Sequence, residues 1–406
     1  MRHTPLGRST ATVTRLSFGA AALGNLFTPV TDEAAAQAVQ AAWAAGVRSF
    51  DTAPHYGLGL SERRLGAALR DRPRDEYTIA TKVGRLLVPA PSTGADDLAN
   101  GFAVPATHRR VRDFSADGVR RSLEASLERL GLEHVDIVHL HDPDEHFAEA
   151  IGHAYPALEQ LRAEGVVRAI GVGMNQCEML TRFVRDTDID TVLLAGRYTL
   201  LTQDAMADLL PEAARRGVSV IVGGVFNSGV LADPKPGATF DYATAAPETV
   251  DRALRMQAVC ERHGIPLRAA AVRFALAPTA VASVLIGARS AEEIMDAANL
   301  LHRDIPAALW QDLRSAGLLP GHLPLPPQSR SLPDPAVFAC FDNAAPAPPG
   351  EPSDRRTFVT ADGRRRDTGC GPGVADQRHA LMHGTARPHE MSPVDTAAHH
   401  TEQDRR

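Results

Sequence analysis

Cysteine is scarce in this chain, and its placement excludes more than its number does. Cys177, Cys260, Cys340 and Cys370 lie far apart and form no CxxC pair. Neither a zinc ribbon nor a disulfide framework can be built on that spacing, and a reducing compartment, the cytoplasm, is the expected setting. Aromatic residues make up only 5% of the chain, and 43 lysines and arginines face 49 aspartates and glutamates, for a formal charge of -6. That balance leaves no basic footprint for nucleic acid. No stretch approaches the roughly 18 unbroken apolar residues of a membrane span, and "MRHTPLGRST" has no apolar signal-peptide core. Neither membrane association nor secretion is expected. A GxGxxG turn is also missing. "GAAALGN" does not supply one, and "GVGMN" and "VGGVFNSG" do not open the strand-glycine-helix turn that the motif requires. This argues against a doubly wound dinucleotide-binding sheet.

What is present is a regular alternation of short apolar runs and amphipathic segments. "RLSFGAAAL" precedes 32–45, "VRSFDTA" precedes 61–70, "YTIATKVG" precedes 116–130 and "VDIVHLH" precedes 147–164. "VRAIGVGM" then precedes 177–186, "DTVLLAG" precedes 204–216, "VSVIVGG" precedes 247–263, and "VASVLIGA" precedes 291–301. Eight such units are the count of an α/β fold of the (β/α)8 type, a TIM barrel. In 116–130, Val119, Leu123, Leu127 and Leu130 share one helical face, with Ser115 as N-cap and Gly131 as stop. The barrel is expected to occupy residues 1–324. Residues 325–406 are rich in Pro, Ala, Arg, Asp and His without hydrophobic period, and read as a disordered tail in which His379, His383 and His389 hold no metal. A long irregular loop is expected over 85–113.

In such a barrel the strand C-termini face the active site, so polar residues there matter most. Asp51 ends the second strand and Tyr56 follows it, Lys82 lies on the third, His141 closes the fourth, and Asn175 follows the fifth. Each alone has an ordinary structural explanation. Together they make a chemical unit. A phenol of pKa about 10 is a poor acid or base at neutral pH unless a nearby ammonium stabilises its anion. Lys82 supplies the ammonium for Tyr56, Asp51 the counter-charge that keeps Lys82 protonated, and His141 an anchor for a substrate oxygen. The expected chemistry is proton transfer at an alcohol or carbonyl oxygen, coupled to hydride transfer with a nicotinamide, and no metal is required.

The runs "SFGAAALG", "FDTAPHYGLGLSERRLG", "TKVG", "DIVHLHDPD", "AIGVGMNQ" and "VLIGARSAEEI" resemble, in order, the aldo-keto reductase superfamily over residues 4 to about 318. "TKVGRLLVP", "RDFSADGVRRSLEASLERLGL" and "GVGMNQ" bring the resemblance nearest to its branch of D-threo-aldose 1-dehydrogenases (L-fucose dehydrogenases) and pyridoxal 4-dehydrogenases. The resemblance implies a barrel, an NAD(P) cofactor, and a catalytic tetrad of Asp51, Tyr56, Lys82 and His141. It also implies that Asn175 grips the nicotinamide. Three positions depart from the common pattern: Met174 replaces a frequent Ser, Ala195 a frequent Gln, and Gly223 the stacking aromatic. Phe226 is either that missing aromatic or ordinary loop packing.

The adenosine end falls on Gly287, Arg289, Ser290 and Glu293. A carboxylate at 293 repels a 2'-phosphate and accepts from a free ribose hydroxyl, which favours NAD, while Arg289 leaves NADP open. Ser290 to Glu293 also reads as a capping box. His55 is either a contact to a substrate hydroxyl or a rim residue. The branch resemblance implies oxidation of an aldose hemiacetal at C1 to a lactone. The alternatives are an NADPH-dependent reductase of aldehydes and ketones, and a cofactor-holding regulatory subunit without turnover.

Overall fold

A strand covered on both faces needs apolar or small side chains throughout, and the eight short runs meet that need as the wall of a closed, all-parallel barrel. The computed structural model describes residues 1–91 and 94–326. Its barrel strands are β1 (Leu16–Gly19), β2 (Ser49–Asp51), β3 (Thr78–Val83), β4 (Ile137–His141), β5 (Ala169–Met174), β6 (Thr191–Ala195), β7 (Ser219–Gly223) and β8 (Val281–Gly287). Each strand pairs with the next, and β8 closes on β1 with Val284 opposite Leu16 and Gly287 opposite Gly19. The fold is thus the (β/α)8 barrel that the alternation implies.

Around it lie α1 (Asp32–Ala44), α2 (Leu60–Leu69), α3 (Ala116–Leu130), α4 (Tyr155–Ala163), α5 (Cys177–Asp186), α6 (Leu209–Arg216), α7 (Pro247–Arg262), α8 (Leu267–Ala275), α9 (Ala291–His302) and α10 (Ala307–Ser315). Their apolar faces meet the outward side chains of the strands in one large core. Helix α3 has the boundaries its sequence announces. The Ser115 hydroxyl accepts from the Gly118 N–H at 3.0 Å, and Gly131 takes φ 65 at the other end. Ser115→Ala removes that cap and is expected to cost about 1 kcal/mol of stability, read as a lowered urea midpoint. Among the described residues no helix is long and apolar enough to cross a membrane, and no cluster of histidine, cysteine and carboxylate side chains is arranged to hold a metal ion.

Inside the barrel, alternate residues form layers. Ala80, Ile137, Ala169, Leu193, Ile221 and Ala282 make an apolar layer that meets an N-terminal hairpin (His3–Pro5 paired with Thr12–Thr14) through Leu6, Ala11 and Val13. The hairpin seals the end where the strands begin. The Thr78 hydroxyl donates to the Thr12 carbonyl at 2.7 Å, and the Gly7 N–H donates to the Ser219 hydroxyl at 2.7 Å. Small hydroxyl side chains fill the rest of that end: Ser17 bonds Ser49 at 2.6 Å and Ser283 at 2.7 Å, while the buried hydroxyls of Thr4 and Thr191 find no partner among the described residues. With this end closed by the hairpin, the polar strand ends at the opposite side form the candidate site.

Two expectations need correction. Residues 85–113 are not irregular: Arg85–Pro89 pairs antiparallel with His108–Arg112, and Asp96–Asp97 with Phe102–Pro105. Four of the five residues of "HRRVR" are basic, so the strand shows no apolar period in the sequence. The helix expected at 147–164 contains a wide turn at Ala150–Ala154 before α4, next to Pro156, whose ring nitrogen cannot donate to the preceding turn. Helices α8 and α10 carry no expectation; α8 is apolar on nearly every side and buried, so it shows no amphipathic period. At the end of the described residues Leu323 is buried and Leu325 packs on the same core. From residue 327 onward the expected tail, with its three histidines, lies outside the described residues.

Candidate active site

Adjacent strands bring the acid, the ammonium and the imidazole to one end of the barrel. Asp51 is the last residue of β2, Lys82 the penultimate residue of β3 and His141 the last of β4. The Lys82 ammonium donates to Asp51 Oδ2 at 2.6 Å, to the Thr52 carbonyl at 3.0 Å and to Tyr56 Oη at 3.0 Å. All three of its protons are thereby used. The Lys82 side chain is only 2% exposed and that of Asp51 7%, so the pair is screened from water.

Tyr56 is held from its backbone. A Cβ at Gly24 would lie 2.6 Å from the Tyr56 carbonyl carbon, and one at Gly57, where φ is +60, would lie 2.2 Å from the Gly24 carbonyl oxygen. Only glycine permits the loops after β1 and β2 to touch so closely, which accounts for both glycines. The Tyr56 ring lies 5.8 Å from the ring of His141, edge to face, and 6.1 Å from that of Phe102. His55 packs edge-on against Phe102 at 5.2 Å and against His141 at 5.6 Å. Acid, base and anchor candidates therefore line one recess.

Burial sets the protonation states. It pushes the Tyr56 phenol above its usual range, with Lys82 pulling the other way and Asp51 adding to the rise. The resting group is a neutral phenol beside an ammonium, whereas the sequence expectation emphasised the phenolate. Burial would by itself lower Lys82, but Asp51 and Tyr56 more than offset it and hold the ammonium charged. His55 is pushed down to about 2 by burial and by Arg85, Arg110, Lys82 and Arg112. His141 is lowered well below its usual value by burial and then by Arg85 and Lys82. His139, inside the barrel beneath Lys82, falls to about 3, chiefly through burial.

A testable pH dependence follows from the two deeply buried imidazoles, His139 and His141. Unfolded histidine titrates near 6.5. Below that pH the unfolded chain binds protons that the native state refuses, so stability present at pH 7 is lost on acidification. The loss is about 1.4 kcal/mol per pH unit for each such histidine. Unfolding midpoints measured between pH 7 and 5 should fall accordingly, while the kcat/KM profile shows no inflection near 6.5. A stability that is flat over that interval would mean that these imidazoles protonate in place.

Several residues at the recess escaped the sequence reading. Arg85, just past β3, pairs with the Asp142 carboxylate, which also lies 3.6 Å from His141 Nε2. Arg110 bonds Asp97 Oδ1 at 2.8 Å and the His55 carbonyl at 2.9 Å. Phe102 completes the wall. Neither "RLLVP" nor "HRRVR" alternates polar with apolar residues, so the ribbon they form carries no period-two signal in the sequence.

The expected cofactor residues fall along the same strand ends. Asn175 follows β5, and no described residue bonds its amide. Gly287 ends β8 exposed, where an added Cβ would meet only the Gly19 carbonyl oxygen, at 3.7 Å. Arg289 and Ser290 lead into α9. The Ser290 hydroxyl accepts from the Glu293 N–H at 3.3 Å, so the capping reading holds on that side. Glu293 reaches back one residue further than a capping box requires, to the Arg289 N–H at 2.8 Å, and pairs with its guanidinium at 2.8 Å. Phe226 packs against the main core. A free amide, an open glycine and a helix N-terminus with an arginine suit a nicotinamide dinucleotide, whose carboxamide an amide could bond and whose phosphate a helix end could receive.

Comparison with known proteins agrees with this geometry. Residues 15–317 match the Aldo/keto reductase family. The chain is 46% identical over 310 residues to D-threo-aldose 1-dehydrogenase of a Pseudomonas species, covering 75% of this chain and 94% of that one. It is 40% identical over 334 residues to pyridoxal 4-dehydrogenase of Microbacterium luteolum, covering 77% and 97%. In three dimensions it resembles the glycerol dehydrogenase of Gluconobacter oxydans with a TM-score of 0.64 at 23% identity, over 81% of this chain and 98% of that one, a likeness of fold.

Proposed function

The chain belongs to the aldo/keto reductase family of NAD(P)-dependent oxidoreductases, and from that premise we propose that it oxidises the C1 hemiacetal of an aldose to the lactone, with NAD as acceptor. The observation that carries the reaction type is the bonded chain Asp51–Lys82–Tyr56 at the strand ends. Similarity to an aldose 1-dehydrogenase and a recess walled by Arg85, Asp142, His55 and His141 support a hydroxyl-rich substrate. A site of hydrogen-bonding groups discriminates hydroxyl patterns far better than an apolar one.

When bound, the nicotinamide supplies the acceptor for the hydrogen and electron pair that leave C1. The protein does the rest. Tyr56 takes the C1 hydroxyl proton as the C1–O bond becomes a carbonyl, and Lys82 stabilises the phenolate that must form first. Asp51 keeps Lys82 charged in a dry site. His141, neutral, orients the substrate oxygen. The tetrad is Tyr56, Lys82, Asp51 and His141, with Asn175 at the carboxamide and Gly287, Arg289 and Ser290 towards the adenosine. The Arg289–Glu293 pair supports NAD, because it occupies the cation that a 2'-phosphate would need and leaves a carboxylate beside the ribose.

The test is cofactor reduction by the full chain with L-fucose, D-arabinose, L-xylose and pyridoxal, each with NAD and with NADP. Turnover of an aldose with NAD is the expected result. Oxidation of pyridoxal alone, or of none of the four together with NADPH-dependent reduction of simple aldehydes, would overturn the substrate while leaving the family and the tetrad intact.

A further inference from the structure

The strand that ends in His141 runs on into a carboxylate, Asp142, beside it. We propose that Asp142 determines specificity by accepting a hydrogen bond from the hydroxyl on the carbon next to the reacting one. The site would thereby select aldoses over substrates that lack that hydroxyl. This rests on the aldose reading above and adds to it the group that reads the sugar.

Three observations converge on Asp142. Its backbone takes φ 43, in the left-handed region that a residue with a side chain enters at a cost. That conformation is held from both sides: the Asp142 N–H donates to the Gly173 carbonyl at 3.0 Å, and the Arg112 guanidinium donates to the Asp142 carbonyl. The carboxylate is fixed at one oxygen only. Arg85 donates to Oδ2, whereas no described residue donates to Oδ1, and the side chain is 32% exposed. Finally, Oδ2 stands 3.6 Å from Nε2 of His141, the imidazole assigned to the reacting oxygen.

An ionised carboxylate only accepts hydrogen bonds, so the free oxygen calls for a donor. In an aldose the nearest donor to the reacting oxygen is the hydroxyl one carbon away. A simple aldehyde places a hydrogen atom there, and the carboxylate oxygen loses its water without gaining a partner. Sites built to bond a hydroxyl reject the analogue lacking it by large factors. The Arg85 anchor adds selectivity, since it denies the carboxylate the freedom to turn towards solvent.

The experiment compares D-arabinose with 2-deoxy-D-ribose, which has the same skeleton without the C2 hydroxyl, as substrates of the full chain with NAD. The wild-type kcat/KM ratio is expected to favour D-arabinose by about 100-fold or more. In Asp142→Asn and in Asp142→Ser the ratio is expected to fall to about 10 or below, with NADH binding followed by fluorescence as the check on folding. A ratio unchanged in both variants would overturn the proposal and make Asp142 a partner of Arg85 alone. Wild-type turnover of D-arabinose without preference over the deoxy sugar would overturn it too, leaving the aldose reading in place. Absence of turnover with any aldose would overturn both.

Discussion

Tyr56→Phe is expected to lower kcat and kcat/KM together by about 10³-fold while leaving NADH binding within a few-fold. The substitution removes one oxygen atom. The ring keeps its place between Phe102 and His141, so a change in packing cannot account for the loss. What disappears is the hydroxyl bonded to the Lys82 ammonium that can both give and take a proton, since the other acceptors are a carboxylate held in an ion pair and a carbonyl. Steady-state kinetics beside a fluorescence titration of NADH separates the two effects. Retention of a tenth or more of the activity would mean that another group moves the proton. If wild type and variant alike bound NADH without turnover on any substrate tried, the regulatory-subunit alternative would gain the ground.

The second large effect is expected from Lys82→Met. Methionine matches the stem of lysine but leaves the Asp51 carboxylate, 7% exposed, without the ammonium 2.6 Å away. Breaking a buried pair from one side costs about 3 to 5 kcal/mol, to be seen as a lowered urea midpoint. The kinetic consequence has a definite sign. Burial raises the Tyr56 phenol and Lys82 opposes that rise, so removing Lys82 lifts the phenol further. Oxidation, which needs the phenolate, should therefore begin at higher pH in the variant, with turnover at pH 7 reduced by about 100-fold or more. Comparing the alkaline limbs of the two pH–rate profiles tests this. An unshifted limb would show that Lys82 serves the fold and not the phenol.

The strands and the meeting of Asp51, Tyr56, Lys82 and His141 at one end of the barrel were legible in the sequence because they rest on local rules. "VDIVHLH" is apolar at the positions that face the helices and polar where β4 ends, and a barrel turns that end towards the site. Asp142 was not legible, because in "HLHDPD" an aspartate before proline reads as a turn residue. Only its contacts with Arg85 and His141 give it another role. His139 was hidden by the same strand, since its exposure is decided by the barrel's closure and not by its neighbours in sequence. For Glu293 the two readings, helix cap and ribose partner, rest on one side chain, and the structure has it bonded to Arg289. Helix α8 failed to announce itself for the reason that a fully buried helix has no polar face to set its period.

The hairpin that floors the barrel ties the order of synthesis to the order of folding. Its bond from Gly7 to Ser219 spans 212 residues, and the bond from the Ser283 hydroxyl to the Thr14 carbonyl spans 269. The ribosome makes the hairpin before any barrel strand, yet the cluster that buries Leu6, Ala11 and Val13 is complete only once Ile221 of β7 and Ala282 of β8 have joined it. Contacts so distant along the chain form slowly, because a long loop must close before they repay it. A segment translated before every barrel strand is thus expected to be seated among the last, once the strands it bonds have been drawn together.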